Sequence, residues 1–182
     1  IAFALNTLNR CLGIKNVIIG VENNNKKALQ AMKKMAVSIN TCCVNVKSLP
    51  AVYPQGGEKV FVYHTTGRKI AHNMLPIDVG CIVLNCTTVA AIGAYLRTGM
   101  PLVEKCVTVE GGAVTKPQNV IAPIGASLQD LFDCCGGLTE QPAKIIYGGP
   151  MMGITAVNTD APVIKNTNAV LALTEKEARL PK

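Results

Sequence analysis

The sequence predicts an α/β first half followed by an α+β second half, divided near Gly99-Met100-Pro101. Two observations predict it. As far as Gly99, short apolar runs alternate with amphipathic stretches, which implies a mainly parallel sheet with helices on its faces. Beyond Pro101 the strand-like runs follow one another in pairs, separated by Gly-Gly turns. At 182 residues and 49% apolar content the chain has room for one domain or two small ones, with a sizeable core.

In the first half an amphipathic helix opens the chain, with Phe3, Leu5, Leu8, Cys11 and Leu12 as its apolar positions. Asn16–Glu22 is a short apolar run of the buried-strand kind. Asn23 to Asn25 then offer an N-cap to a helix over Lys26–Val37, in which Ala28, Leu29, Met32, Met35 and Ala36 keep helical spacing. Residues 41–49 form a second strand that ends at Pro50. A helix over 57–64 stops at Thr65-Thr66-Gly67. Residues 81–84 read as another buried strand, and 87–96 as a helix closed by Gly99.

In the second half 102–109 is a strand closed by Glu110-Gly111-Gly112, and 119–124 is its neighbour. Ser127 caps a short helix through Cys135, which Gly136-Gly137 closes. Residues 143–147 and Ala169–Leu173 supply further strands. The order strand, strand, helix, strand, strand is that of a β-grasp module. A polar, helical-looking stretch precedes Leu180-Pro181-Lys182. The chain opens on Ile1, inside its first helix and with no cap before it, so both ends read as cut from a longer protein.

Composition excludes several functions. No apolar run approaches the roughly 20 residues needed to span a bilayer. The net charge of +7, from 18 Lys and Arg against 11 Asp and Glu, invites a nucleic-acid reading. Only 4% of residues are aromatic, however, Trp is absent, and the basic residues are scattered apart from Lys26-Lys27 and Lys33-Lys34 on one helix. Those pairs read as a solvated face. Cysteines stand at 11, 42, 43, 81, 86, 106, 134 and 135 with no C-x-x-C spacing, which excludes an iron–sulfur site within the chain. They read as reduced, structural thiols, most of them buried as small hydrophobes. His64 and His72 lack an Asp, Glu or Cys at ligand spacing, and read as surface or satisfied core residues. No Ser–His–Asp or paired-carboxylate constellation is present, so no residue is assigned as catalytic or as a metal ligand.

One stretch carries chemistry. Tyr53-Pro54-Gln55-Gly56-Gly57-Glu58-Lys59 lies between a strand and a helix. Its two glycines let the backbone approach a ligand with no Cβ in the way, and the following helix presents free N–H groups to an anion. Glu58 adds a carboxylate acceptor of the kind that holds a ribose hydroxyl or an amide. A Gly-Gly turn with Glu58 favoured by the helix dipole accounts for the same residues.

Three later segments join it: Leu75-Pro76-Ile77-Asp78-Val79-Gly80, Asn85-Cys86-Thr87-Thr88, and Tyr147-Gly148-Gly149-Pro150-Met151-Met152-Gly153. In this order, from about Asn16 to Leu173, the four resemble the C subunit of the Rnf electron-transport complex, which is related to the flavoprotein subunit of respiratory complex I. The resemblance implies a partial Rossmann-like, three-layer flavin/NADH-binding domain over 1–99. A soluble-ligand-binding (SLBB) β-grasp domain and tail would follow over 100–182. It implies FMN at the carboxyl ends of the sheet strands, NADH stacked above it, and hydride transfer between them. The implied nucleotide-binding residues are Tyr53, Gly56, Gly57, Glu58, Lys59, Asn85 and Thr88. Glu58 contacts the nucleotide and Tyr53 walls the pocket. Lys59 either balances phosphate charge or faces solvent. Asn85 and Thr88 either bind the flavin phosphate or ribityl chain or simply cap a helix. Thr87 stands where the family usually has glycine or another small residue.

The resemblance also places the flavin's glycine-rich loop upstream of the chain and two four-iron clusters downstream, so that the fragment alone is expected to bind flavin weakly and to be inactive. Implied partners are the other Rnf subunits, NADH and ferredoxin, the last drawn by the surplus basic charge. The implied place is the cytoplasmic face of a bacterial inner membrane. Two other readings share these motifs: a cobalamin-reducing flavoprotein of the same architecture, and a non-catalytic β-grasp module that binds a ligand or a partner. Gly148–Gly153 has no titratable side chain and reads as structural or docking.

Overall fold

The computed structural model describes residues 1–150 and 152–179, arranged as two compact units, Ile1–Gly99 and Met100–Lys182. In the first unit, α1 (Ala2–Leu12) leads through a left-handed Gly13 to β1 (Asn16–Glu22). The helix α2 (Lys26–Val37) then crosses over to β2 (Cys43–Leu49), which pairs parallel to β1 from Asn16 opposite Cys43 to Glu22 opposite Leu49. Asn25 caps α2, its Oδ1 accepting from the Ala28 N–H at 3.0 Å. The apolar positions of α2 are half-buried against both strands, and its two lysine pairs are exposed. That is the division its helical spacing requires.

Close approach at glycine sets the rest of this unit. α3 (Glu58–Thr66) packs on β1 at Gly20, where an added Cβ would lie 2.3 Å from the Phe61 ring and 2.8 Å from a Leu49 methyl. α4 (Cys86–Thr98) packs on α1, with Gly93 against the fully buried Ala4. A 3-10 turn over Pro76–Val79 interrupts the long connection between α3 and α4.

Residues 81–84 depart from the expected strand. They belong to no strand, and residues 82–84 make no backbone hydrogen bond among the described residues. Ile82 and Leu84 are exposed. Periodicity and apolar content were right for a strand. A strand also needs a partner edge, and the sheet here is only β1 and β2.

The second unit is a five-stranded mixed sheet in the order β4-β3-β7-β5-β6. β3 (Glu104–Glu110) pairs antiparallel with β4 (Gln118–Pro123) and parallel with β7 (Ala169–Leu173). β5 (Lys144–Tyr147) pairs antiparallel with β7, and the short β6 (Ile154–Thr155) adds an edge. α5 (Leu128–Cys134) covers one face, burying Leu128, Leu131 and Phe132 against Val107, Val109, Val170 and Ala172. Its start is a reciprocal cap. Asp130 accepts from the Ser127 N–H and hydroxyl while Ser127 Oγ accepts from the Asp130 N–H.

A second carboxylate ties this unit together. Glu177 in α6 (Glu175–Ala178) accepts from Gly112 N, Thr174 N and Thr174 Oγ1 at 3.0 to 3.1 Å, which fastens the β3–β4 turn to the last helix. At Gly111, with φ at +115°, a Cβ would stand 2.1 Å from the Ala172 carbonyl oxygen, so only glycine fits.

Two other expectations meet the structure. All eight cysteines are free, but only Cys135 is buried; Cys42 and Cys81 are half-buried and the other five exposed. Lying in an apolar element does not place a thiol inward. Cys106, opposite Ile121, alternates with the buried Val107 and so points to the other face of the sheet. The 148–153 segment turns β5 into β6, with Gly153 N donating to Gly149 O at 2.7 Å. Met151 within it, and the terminal Leu180-Pro181-Lys182, lie outside the described residues.

Candidate functional site

A groove of about 1080 Å³ opens in the first unit. Leu5, Leu8 and Leu12 of α1 and Val17, Ile18 and Ile19 of β1 make its apolar wall. Gly56, Glu58, Arg68 and Asn85 make its polar one. Three of the segments singled out by sequence, the glycine turn, the 75–80 segment through Gly80 and the start of α4, thus meet at one cavity.

The first of them is a tight turn. Tyr53–Pro54 is cis, Gln55 N donates to Val52 O, and Gly57 N donates to Pro54 O, both at 2.8 Å. A Cβ at Gly57 would lie 3.1 Å from the Pro54 oxygen, a tight contact within the turn. α3 begins directly afterwards with no side-chain cap. Its first N–H groups are therefore open to a ligand. The Glu58 carboxylate is exposed and makes no hydrogen bond or ion pair with a described residue. Tyr53 is 82% exposed and does not line the groove.

Lys59 does something else. Its ammonium donates to the carbonyls of Ala71 and His72, both at 2.7 Å. It staples the loop that follows α3, an alternative to both phosphate binding and a free solvent-facing side chain.

Asn85 is the N-cap of α4. Its Oδ1 accepts from Thr87 N at 2.9 Å and from the Thr87 hydroxyl at 2.8 Å. The Asn85 amide nitrogen and the exposed Thr88 hydroxyl make no hydrogen bond among the described residues. Capping and ligand binding are therefore compatible, because the cap uses only the carbonyl side of the Asn85 amide.

Sequence reasoning missed three residues here. Gln55, 3% exposed, hydrogen-bonds His64 Nδ1 through Oε1 at 2.7 Å, while its Nε2 is buried without a partner. That contact makes His64 a satisfied histidine with a defined role in holding the turn. Asn9 lines the groove with a buried Oδ1 that also lacks a partner. Arg68 Nη1 donates to Val79 O at 2.7 Å and Gly80 O at 3.0 Å. Gln55 sits inside the glycine turn but drew no role from it, and a lone Asn, Gln or Arg has no periodicity to mark it. Among the described residues no cluster of His, Cys, Asp and Glu could hold a metal, and no helix is long and apolar enough to cross a membrane.

The family model described as the Nuo51 FMN-binding domain matches residues 1–94, just over half of the chain. The chain belongs to that family. A second family model, the SLBB domain, matches residues 106–155. Among curated relatives, the C subunit of a proton-translocating ferredoxin:NAD(+) oxidoreductase complex from Clostridium ljungdahlii is 40% identical over 92% of this chain and 36% of its own length. Its counterpart in the Na(+)-translocating complex of Acetobacterium woodii is 38% identical over 99% of this chain and 40% of its own length. The C subunit of an ion-translocating oxidoreductase complex from Rhodobacter capsulatus is 36% identical over 97% of the chain and 34% of its own length. These relatives are Rnf C subunits, the group resembled from sequence. The chain spans little more than a third of the length of the curated relatives it matches.

The groove of this Nuo51-type unit suits a flavin mononucleotide in its donor set. Open helix N–H groups and a guanidinium suit a phosphate, a free carboxylate and a half-used amide suit ribityl hydroxyls, and the leucine wall suits an apolar ring.

Proposed function

We propose that this chain is the nucleotide-binding part and the β-grasp part of the C subunit of an ion-translocating ferredoxin:NAD oxidoreductase. The domain limits are 1–99 and 100–182. The observation that carries the reading is the meeting of Glu58 and Asn85 at one groove, inside the segment that matches the FMN-binding family. In the whole protein FMN and NADH occupy this groove. Bound FMN supplies the exchange between two-electron nicotinamide chemistry and one-electron carriers.

The chain's own residues bind and orient. Gly56 and Gly57 let the backbone close on the ligand, and Glu58 accepts from a ribose hydroxyl or a carboxamide. Asn85 donates its amide N–H groups to the flavin's polar chain, with the Thr88 hydroxyl beside it. Tyr53 covers the ligand from outside, and Lys59 holds the adjoining loop. Hydride transfer needs positioning rather than an acid or base, consistent with a groove that contains a single carboxylate. Two four-iron clusters elsewhere in the whole protein take the electrons onward. The other Rnf subunits and ferredoxin are the partners, at the cytoplasmic face of a bacterial membrane, and the surplus positive charge steers acidic ferredoxin.

The test is the visible spectrum of the full-length protein, purified without oxygen, before and after NADH. The expected result is flavin and iron–sulfur absorption that bleaches on addition. A protein still colourless after reconstitution with flavin, iron and sulfide would leave a binding scaffold as the better account.

A further inference from the structure

Arg68 stands on the groove wall two residues past the end of α3, where Gly67 turns the chain with φ at +76°. Its guanidinium is used on one side only. Nη1 donates to Val79 O and Gly80 O at 2.7 and 3.0 Å, with Cys81 Sγ at 3.5 Å. Nη1 has two hydrogens, and these acceptors take both. Nε and Nη2 carry three more. Among the described residues nothing accepts them, and the ion pair Arg179–Glu175 is the only one.

A guanidinium keeps its charge at any accessible pH. The tether through Nη1 holds its plane, so less side-chain freedom is lost when a ligand arrives. The edge left open, Nε with Nη2, is one that pairs side-on with two oxygens of an oxyanion. Lys15 adds positive charge to the same groove, and Glu58 is its only carboxylate.

We infer that the Nε–Nη2 edge of Arg68 is the oxyanion anchor of this groove and holds a phosphate of the nucleotide bound there. The inference rests on the flavin and nicotinamide reading of the groove. A phosphate reaches it from either of two sources, the flavin 5′-phosphate or the dinucleotide pyrophosphate.

The experiment uses the full-length protein in wild-type, Arg68→Ala and Arg68→Lys forms. Affinity is measured for FMN and for riboflavin, which lacks the phosphate. The expected result is a wild type that prefers FMN, with a preference cut about 10- to 100-fold in Arg68→Ala at unchanged riboflavin affinity. Lysine keeps a charge and a donor for the 79–80 carbonyls but loses the fork, so it restores the loop and only part of the preference. An intact FMN preference with KM for NADH raised by a similar factor, at constant kcat, assigns the anchor to the dinucleotide.

Equal losses for FMN and riboflavin would overturn the inference, because they would make Arg68 a tie for the 79–81 loop alone. So would variants that match wild type in all three readouts. A wild type that binds neither flavin would overturn the flavin reading itself, a result distinct from FMN binding that ignores Arg68. Should Arg68→Ala fail to fold, Arg68→Lys carries the comparison.

Discussion

Glu58 is the side chain on which the redox reading and a scaffold reading differ most. It is exposed and unpartnered, so its removal takes no packing from the fold. What it does lose is a favourable charge at the first turn of α3, about 0.3 to 1 kcal/mol. Glu58→Ala in the full-length protein should therefore leave the unfolding midpoint nearly unchanged and lower NADH-driven flavin reduction at least tenfold, as stopped-flow bleaching would record. Unchanged reduction would leave the groove without a nucleotide-contacting role for this residue. Gly20 makes the opposite case, a residue with no chemistry that still positions the site. The Phe61 ring occupies the space a Cβ would need, and Phe61 belongs to the helix that begins at Glu58. Gly20→Ala should cost about 1 to 3 kcal/mol by overpacking. A shift of the urea midpoint would show it, and weaker flavin binding should accompany it as α3 is pushed off β1.

At the scale of elements, α4 is where a cap and a ligand contact share one residue. Asn85→Ala removes the acceptor for Thr87 N and should destabilise the protein by about 1 kcal/mol. Asn85→Asp keeps that acceptor and adds charge favourable to a helix N-terminus, so stability should return. Flavin affinity should not return with it, because aspartate has no N–H to donate and repels a phosphate. Recovery of both in Asn85→Asp, measured by thermal melts and flavin titration, would make Asn85 a cap only. The same element shows how far sequence reached. The start of α4 was legible because Asn before a helical run announces itself, as Asn25 did for α2. The residues just before α4 were not. Residues 81–84 have strand composition, but strand formation is a property of a pair, and no pattern within four residues reveals whether an edge awaits them. The contacts of Lys59 were not legible for a related reason: its two carbonyl partners lie 12 and 13 positions away, in a loop with no periodicity.

For the whole molecule, the change of order after Pro101 was readable because each β-grasp element is short, β-branched and bounded by turn glycines. The meeting of Gly56, Glu58 and Asn85 was not readable from spacing. It depends on how helices seat on β1, through contacts such as Gly20 with Phe61, and the resemblance alone put those segments at one site. In the second unit one tie between distant elements, Glu177 to Gly112, is electrostatic, and that makes it sensitive to acid. The Thr174 and Gly112 N–H groups and the Thr174 hydroxyl hold the Glu177 carboxyl below its ordinary value, and the Ser127 hydroxyl and N–H do the same for Asp130. A carboxylate with a depressed folded pKa stabilises fully above its unfolded value, near 4.5 for Glu177, and loses that contribution as pH falls through the lower folded value. Acid should therefore loosen this unit by releasing α6 from the β3–β4 turn. The Gly112 amide proton, followed by NMR over about pH 2 to 6, should titrate with a midpoint below the ordinary glutamate range. Glu177→Gln should abolish that titration and flatten the acid limb of the urea midpoint, because an amide accepts the same hydrogen bonds more weakly but without a charge to lose. A Gly112 midpoint at the ordinary glutamate value would mean that Glu177 does not hold the turn in solution.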